Sequence, residues 1–469
     1  MAAHPAPSFL FWLRWVVFAL AMAGMGWGFI HEAERNISRH ARPAELLPLE
    51  TRHLELTRAT QRDFQPDFTH SVSEPLKKLA PHRTDGLVQP LWPWLGALRL
   101  DEGNVAQSLQ DLAWLRTGLA LACLLVLGWV CARSFALPAA LLVVALTGFH
   151  GLLGTLHLYT GATLFHFCFL LTWIACLYAL QRNSLWVYGV VGAFGALAYL
   201  SMDRILPLLA IFAVVSTLRA LWGWLAAHWC HHEGTTLWVR RNHLFGLLLL
   251  ATMAGFVAGG RLTEARTQFG DAFFHYNDHT RWLDTKAEAE AWVEAHPDKQ
   301  SLQKIPALSR PTPQSYFQSH TREQVQQRLE SGLAGLLKRL QGRGGEVLAV
   351  LLVLLVAFTA TCRFCTPKAC HAGERLHPEA VPTVLFLVVT AVGYSLVAIW
   401  DAQVLPVGYI HALTGPLVLS LLWGCESVLR RAKRRGASWL VKRGYQGVLW
   451  ILFIMTLVQF WQGTQAAAP

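Results

Sequence analysis

Ionisable residues in this chain stand at the ends of long apolar segments, where membrane proteins place functional groups. Glu32 and Glu34 follow the first apolar segment, and Asp203-Arg204 interrupts the apolar run from Leu185 to Leu225. A carboxylate at such a position can accept a proton, and an arginine can bind two phosphate oxygens at once. Because ionisable groups are costly at membrane depth, these residues are the first candidates for a functional site.

The composition indicates that the bilayer is the solvent of this protein. Of 469 residues, 54% are hydrophobic and 15% are charged, and the mean hydropathy is +0.34. The net charge of +11 does not indicate a nucleic-acid partner, because a dense basic cluster at residues 430–443 joins two apolar segments. Such clusters mark cytoplasmic loops. The composition therefore favours a polytopic membrane protein and argues against nucleic-acid binding.

Eleven apolar segments are predicted to cross the membrane as helices. They lie near residues 10–30, 113–132, 137–156, 161–181, 185–202, 204–224, 243–260, 346–361, 382–400, 404–424 and 447–462. With the short basic connections on the cytoplasmic side, this alternation puts the N-terminus inside and the C-terminus outside. The predicted fold class is an all-α polytopic membrane protein.

Two long polar loops, residues 31–110 and 261–344, fall on the outer face in this arrangement. They divide the chain into three regions. We expect a transmembrane core over 1–260 that includes the first loop, an extracytoplasmic loop or small helical subdomain over 261–344, and C-terminal transmembrane helices over 345–469.

Local patterns predict structure inside both loops. Asp284 precedes a run rich in Ala and Glu that stops before Pro297, and Thr321 with Gln324 resembles a capping box that opens a second helix. The end of the first loop, residues 85–98, combines two prolines and two tryptophans with an apolar face. That combination suits a segment lying at the membrane interface.

The cysteines leave two alternatives open. One inner loop reads Cys362-Arg-Phe-Cys365 and continues to Cys370, and another holds Cys230 followed by two histidines. A structural zinc site usually presents two paired ligand units, and the second pair here is imperfect. The alternatives are a zinc site and ordinary reduced loop cysteines, and we assign no metal ligand.

The order of these features resembles the GT-C superfamily of integral-membrane glycosyltransferases, especially its protein-mannosyltransferase-like and aminoarabinose-transferase-like branch. The resemblance covers about the first 225 residues in spacing and residue class, with a weaker match farther on. It is carried by Glu32 and Glu34, by Gln89-Pro90-Leu91-Trp92-Pro93, by Trp114-Leu115-Arg116, by His157-Leu158-Tyr159-Thr160, by the glycine-rich run from Gly192 to Ser201 before Asp203-Arg204, and by Tyr409-Ile410-His411 before Pro416.

Two positions depart from the pattern of that family. The family has an aspartate-glutamate pair after its first span, whereas this chain reads His31-Glu32-Ala33-Glu34. Which glutamate would fill the catalytic position is therefore open. A threonine-lysine pair often follows the glycine-rich span in the family, and this chain has Asp203-Arg204 there.

The resemblance implies transfer of a sugar from a polyprenyl-phosphate donor to a lipid, glycan or protein acceptor on the outer face, with inversion at the anomeric carbon. Glu32 would be the favoured general base with Glu34 as its rival, and Arg204 and Arg116 would hold the lipid phosphate. The other expected substrate-binding residues are Asp203, His157, Tyr159, Asp401 and His411. Some relatives use a divalent cation, but no spacing here compels one. The implied location is a bacterial inner membrane.

Two other classes of function fit the same sequence. An O-antigen ligase or polymerase also has many spans and polyprenyl-linked substrates, and its catalytic arginines and histidine are expected in the late large loop, here residues 261–344. A transporter or a non-catalytic membrane scaffold is the other class. Inverted repeats and helices broken at mid-membrane, which favour a transporter, are not recognisable in this sequence.

Overall fold

A computed structural model gives the fold of most of the chain. It describes residues 9–40, 46–64, 81–156, 159–181, 184–230, 236–297, 299–306, 310–340, 345–364, 380–405, 408–434 and 439–466. Every regular element within these residues is a helix. The prediction of an all-α chain is confirmed for this part of the protein.

Nine helices in the described ranges are long and apolar enough to cross a membrane. They are Trp12–Ser38, Val105–Ser134, Leu137–Thr155, Ala162–Gln181, Asp203–Leu221, His243–Phe269, Val381–Asp401, His411–Leu429 and Val441–Gln462. Two more of the eleven predicted spans correspond to shorter apolar helices, Leu185–Ser201 and Gly345–Thr359. The chain is therefore a multi-pass membrane protein by the length and composition of its helices.

The helices are numbered in chain order. The first nine are α1 (Phe9–His40), α2 (Pro48–Phe64), α3 (Leu91–Ala97), α4 (Val105–Ser134), α5 (Leu137–Ala145), α6 (Ala162–Gln181), α7 (Leu185–Ser201), α8 (Leu206–Cys230) and α9 (Thr236–Phe269). The others are α10 (Asn277–Thr280), α11 (Lys286–Ala295), α12 (Lys299–Lys304), α13 (Pro313–Ser319), α14 (Arg322–Leu340), α15 (Gly345–Phe364), α16 (Ala380–Asp401), α17 (Thr414–Arg434) and α18 (Trp439–Ala466).

Helix α6 is apolar on every face, and most of its residues are buried in the bundle. Along it, the ring centroids of Phe165 and Phe169 are 5.5 Å apart, and those of Phe169 and Trp173 are 6.2 Å apart. From α16, Phe386 packs against Trp173 and Tyr394 packs edge-on against Phe169. This column of aromatic contacts sets the position of α16, including the end where Asp401 lies.

Helices α7 and α9 approach each other closely at Gly192. A Cβ atom on Gly192 would overlap the carbonyl oxygen of Leu250 on α9. One turn earlier, a Cβ on Gly189 would already be 3.4 Å from the Leu249 side chain. Small residues allow membrane helices to come this near, where packing rather than water drives association.

The helices predicted inside the second long loop are present. The Thr321 amide donates to Gln324 Oε1 at 2.8 Å and opens α14, so this capping box is confirmed. Helix α11 occupies the run rich in Ala and Glu, with the Thr285 side chain accepting from the Glu288 amide. Both helices begin where side chains satisfy amides that the first turn leaves without partners.

We predict that Gly192→Ala lowers the free energy of unfolding by about 1–3 kcal/mol, because the added methyl group forces α7 and α9 apart. Thermal unfolding of the purified protein in detergent measures the effect. Gly255→Ala is the matched control, since Gly255 is exposed on α9 and a Cβ there meets no atom within 4 Å. If both variants lose the same free energy of unfolding, the effect at Gly192 does not come from its close contact with α9.

The membrane orientation is tested separately by cysteine labelling. Cysteines introduced at the exposed positions Glu102 and Gln318 should react with an impermeant maleimide from the outer side of intact cells. A cysteine at exposed Arg133, at the opposite end of α4, should react only after permeabilisation. The reverse pattern would mean that the two long loops face the cytoplasm.

Candidate functional site

A cavity of about 290 Å³ opens at one end of the helix bundle. The turn between α7 and α8, the segment after α9, and the last two turns of α16 form its walls. Its polar lining is Asp203, Arg204, His275, Asp278, Arg281 and Tyr394, and its apolar lining is Leu206, Pro207, Ala210, Phe273 and Val397. The cavity is thus lined by ionisable side chains and by apolar side chains of membrane-spanning helices.

Arg204 joins two carboxylates from distant parts of the chain. Its Nη1 lies 2.9 Å from Asp401 Oδ2, and its Nε lies 3.8 Å from Asp203 Oδ1. Asp401 is fully buried, and Arg204 and Asp203 are nearly so. Because removal of one partner from a buried pair leaves an uncompensated charge, these contacts hold the two chain segments together. Three of the predicted site residues therefore lie in one cluster.

The backbone around Arg204 forms a sharp turn for local reasons. Helix α7 ends at Ser201, and Met202 takes an extended conformation with φ −162° and ψ 135°. A single 3₁₀ turn follows, and Pro207 then lies in the first turn of α8, where its missing amide hydrogen costs nothing. The Tyr394 hydroxyl donates to the Arg204 carbonyl at 2.6 Å and fixes this turn against α16.

Three ionisable residues of the cavity come from the second long loop and were not among the predicted site residues. They are His275, Asp278 and Arg281. The sequence here reads Phe-Phe-His-Tyr-Asn-Asp-His-Thr-Arg from residue 273, a density of aromatic and ionisable side chains unusual for a connecting loop. That density is the signal by which these residues can be found from sequence.

The protonation states in this loop follow from its contacts. Nδ1 of His275 accepts the Asn277 amide at 3.1 Å, and burial lowers the pKa of this histidine despite Asp203 at 3.7 Å. His275 is therefore neutral at pH 7, with its proton on Nε2. Partial enclosure by the surrounding protein atoms, reinforced by the charge of Asp203, raises the pKa of Asp278. The Arg281 guanidinium lies 3.9 Å from the Asp278 carboxylate.

Arg261 attaches the two long loops to each other. Its guanidinium donates to Gln89 Oε1 at 3.1 Å, to the Ala272 carbonyl at 2.8 Å and to the Phe274 carbonyl at 2.6 Å. The Tyr276 amide also donates to the Gly86 carbonyl at 2.9 Å. The end of the first loop and the start of the second are thus packed together beside the cavity.

Gly86 is required at this junction for two reasons. Its φ of +83° is a conformation that other residues rarely adopt. A Cβ would also come within 2.6 Å of the Tyr276 ring.

Arg116 and Tyr159 belong to a second buried cluster. The Arg116 Cζ lies 5.6 Å from the ring centroid of Trp92, and the same indole ring contacts Tyr159 edge-on. The Tyr159 hydroxyl is 3.0 Å from Thr57 Oγ1, and its amide donates to Glu50 Oε1 at 2.5 Å. The two arginines predicted to hold one phosphate therefore lie in different clusters.

The remaining predicted residues lie apart from the cavity lining. Helix α1 continues past the predicted end of the first span, so Glu32 and Glu34 lie within it. Glu32 is buried and pairs with Arg35 at 3.6 Å, whereas Glu34 is exposed. Among the contacts described for α1, none joins either glutamate to Arg204 or Asp401.

His411 lies in the 3₁₀ turn Gly408–Leu413, and its carbonyl oxygen would be 3.4 Å from a Cβ on Gly151. That turn packs against α6 and α17. His157 lies outside the described residues, as do Cys365 and Cys370 of the suggested zinc loop.

No group of three or more His, Cys, Asp or Glu side chains suited to a metal ion occurs within the described ranges. Asp203 and Asp401 both contact Arg204. Comparison of the chain with protein-family models, with curated proteins and with solved structures found no match.

Proposed function

We propose that this chain is an integral-membrane glycosyltransferase that takes a sugar from a polyprenyl-phosphate donor and passes it to a lipid, glycan or protein acceptor. The observation that supports it is the amphiphilic character of the cavity. Leu206 and Ala210 line the cavity and are also exposed on α8, one of the helices apolar and long enough to cross a membrane. A polyprenyl chain can follow that surface while its phosphate meets the polar lining.

The arginines at the cavity supply the positive charge that a departing lipid phosphate needs. Arg281 is the more accessible, with 21% of its side chain exposed, while Arg204 lies deeper between two carboxylates. A guanidinium binds two phosphate oxygens in a planar arrangement that an ammonium group cannot reproduce. Arg281 therefore makes the first contact with the phosphate, and Arg204 holds the turn that forms the inner wall.

Asp278 is the carboxylate that the geometry favours as the proton acceptor for the acceptor hydroxyl. It lines the cavity, 57% of its side chain is exposed, and its pKa is raised. A base with a raised pKa accepts a proton more readily in the transition state. Glu32, the base implied by the family resemblance, stays a prediction, and a direct comparison of the two carboxylates decides between them.

The ligase type of enzyme is the second candidate, and one observation favours it. His275, Asp278 and Arg281 all come from the long loop 261–344, where such enzymes are expected to carry their catalytic arginines and histidine. Both functions use a polyprenyl-linked substrate in the same cavity. In the ligase type, the residues of this loop are sufficient for donor binding. In the proposed glycosyltransferase, Asp203-Arg204 also contributes to donor binding.

We predict that Arg281→Gln raises the apparent KM for a polyprenyl-phosphate sugar by about 10-fold, because a charge-assisted hydrogen bond to phosphate is lost. The side chain has few structural partners, so the melting temperature should change little. Arg204→Lys should raise the same KM and also lower the melting temperature, since one ammonium group cannot meet both carboxylates. Transfer rate against donor concentration is the measurement.

Arg322→Gln is the matched control, because Arg322 is exposed at the start of α14 in the same long loop and lies outside the cavity lining. Arg322→Gln should leave donor dependence unchanged. If Arg281→Gln impairs transfer while Arg204→Lys keeps the donor KM of the parent, the ligase type is favoured. If both keep the parent kinetics, the cavity is not the donor site.

The two candidate bases are compared by replacing each with its amide. We predict that Asp278→Asn lowers kcat by about 10²- to 10⁴-fold, and that Glu32→Gln does so only if the resemblance assigns the base correctly. The pH dependence of kcat/KM gives a second readout, in the limb where activity falls at low pH. Because the base form is lost as pH falls through the raised pKa, that limb should lie above the value of about 3.9 typical of Asp. Full activity in Asp278→Asn would rule out this residue as the base.

A further inference from the structure

Helix α14 has an apolar strip that the described residues leave uncovered. Its buried side recurs every four residues and consists of Arg328, Gly332 and Leu336. The exposed strip beside it consists of Leu329, Leu333 and Leu337. Because residues four apart lie on one side of a helix, these leucines form a continuous apolar surface. A surface of this kind marks an interaction site, and its place in the fold identifies what it contacts.

The buried side of α14 packs against the end of the membrane-spanning helix α16. A Cβ on Gly332 would overlap the Ile399 carbonyl oxygen, and the Arg328 guanidinium donates to the Trp400 carbonyl at 3.4 Å. The span of α16 ends at Asp401 after 21 residues, which is about 31 Å of helix. That length matches the thickness of the hydrocarbon core. Helix α14 therefore lies at the level where the hydrocarbon core ends.

The leucine strip points back toward the membrane. On the other side of α14, the Ser331 hydroxyl accepts a hydrogen bond from the Gln403 amide, which lies beyond the end of the α16 span. Leu333 is two residues from Ser331, and two residues turn a helix by about 200°. Since Ser331 faces the water side, Leu333 faces the lipid-exposed part of α16, where Leu396 is 57% exposed.

Two neighbouring features lie at the same level. Helix α14 ends at Leu340, and the apolar helix α15 begins at Gly345, so the chain enters the membrane directly after α14. Beside α14, the ring centroid of Trp400 is 5.2 Å from that of Trp282 and 5.8 Å from that of Phe317. Tryptophans concentrate at membrane–water interfaces, where their rings meet both lipid and water.

We infer that α14 docks on the bilayer at the cavity end of the bundle, where phospholipid acyl chains cover Leu329, Leu333 and Leu337. An amphipathic helix in this position buries its apolar face in the acyl boundary and keeps its polar face in water. The polar residues of α14 agree, because Gln327 and Lys338 are exposed on the side away from the leucines. This surface goes beyond the proposed transfer function and does not depend on it.

Docking of α14 sets the height of the cavity relative to the bilayer. The Arg328 guanidinium donates to the Arg281 carbonyl at 2.8 Å, and the Trp400 indole donates to the same oxygen at 3.0 Å. Arg281 lines the cavity. The opening of the cavity is thereby held beside the lipid headgroups, where a molecule embedded in the leaflet can reach it.

Photo-crosslinking in liposomes of phosphatidylethanolamine and phosphatidylglycerol tests this surface. Benzoylphenylalanine, a photoreactive residue, replaces Leu333 or Leu337 in the whole chain, and mass spectrometry identifies the adducts. We expect phospholipid adducts at both positions, in a yield similar to that at Leu396, the positive control in the α16 span. Gln327 is the matched negative control, because it is exposed on the polar side of α14, and it should give no more phospholipid adduct than a sample kept in the dark.

A milder substitution gives a second readout in the same liposomes. Leu333→Cys should react with an impermeant maleimide at least about tenfold more slowly than Gln327→Cys, because apolar surroundings disfavour the thiolate. The parent protein supplies the background from its own cysteines.

Three results would overturn the inference. The first is crosslinking of Leu333 and Leu337 to a second copy of the chain in place of phospholipid. The second is the absence of phospholipid adducts at both positions while Leu396 forms them. The third is an equal maleimide rate in Leu333→Cys and Gln327→Cys.

Discussion

The ion pair between Arg204 and Asp401 is the interaction on which the candidate site depends. Both groups are buried at the end of a membrane-spanning bundle, where a charge left without its partner costs about 3–5 kcal/mol. The turn after α7 and the last turn of α16 must therefore stay in contact. The aromatic column along α6 already places α16, so the geometry of the cavity follows from the packing of the core below it.

Buried arginines serve as structural connections where the two long loops meet the membrane. Loop backbone that leaves water must find partners for its carbonyl oxygens, and guanidinium groups supply several donors at once. Arg261 meets this need for the segment after α9, and Arg328 meets it for the segment before α11. With the backbone held on both sides, His275 and Asp278 are presented to the cavity on a fixed loop.

The arginines near the two long loops differ in how many acceptors the described residues supply to them. Arg261 and Arg328 have acceptors within the described protein, and they account for stability. Arg281 lies at the accessible side of the cavity, and Arg116 lies buried without an acceptor among the described residues. Under the proposed function, the phosphoryl oxygens of a lipid substrate are the acceptors that Arg281 meets in the cavity.

The amino-acid sequence by itself determined the helical class, nine of the membrane spans and the start of α14 at Thr321, because hydropathy over about 20 residues and capping by near neighbours are local properties. It also marked Asp203, Arg204 and Asp401 as costly charges. Only the tertiary structure decided that these three residues meet, that Arg116 lies apart from them, and that His275 and Asp278 complete the cavity. Those contacts join distant chain segments, and they depend on how α6 and α16 pack, which no local pattern encodes.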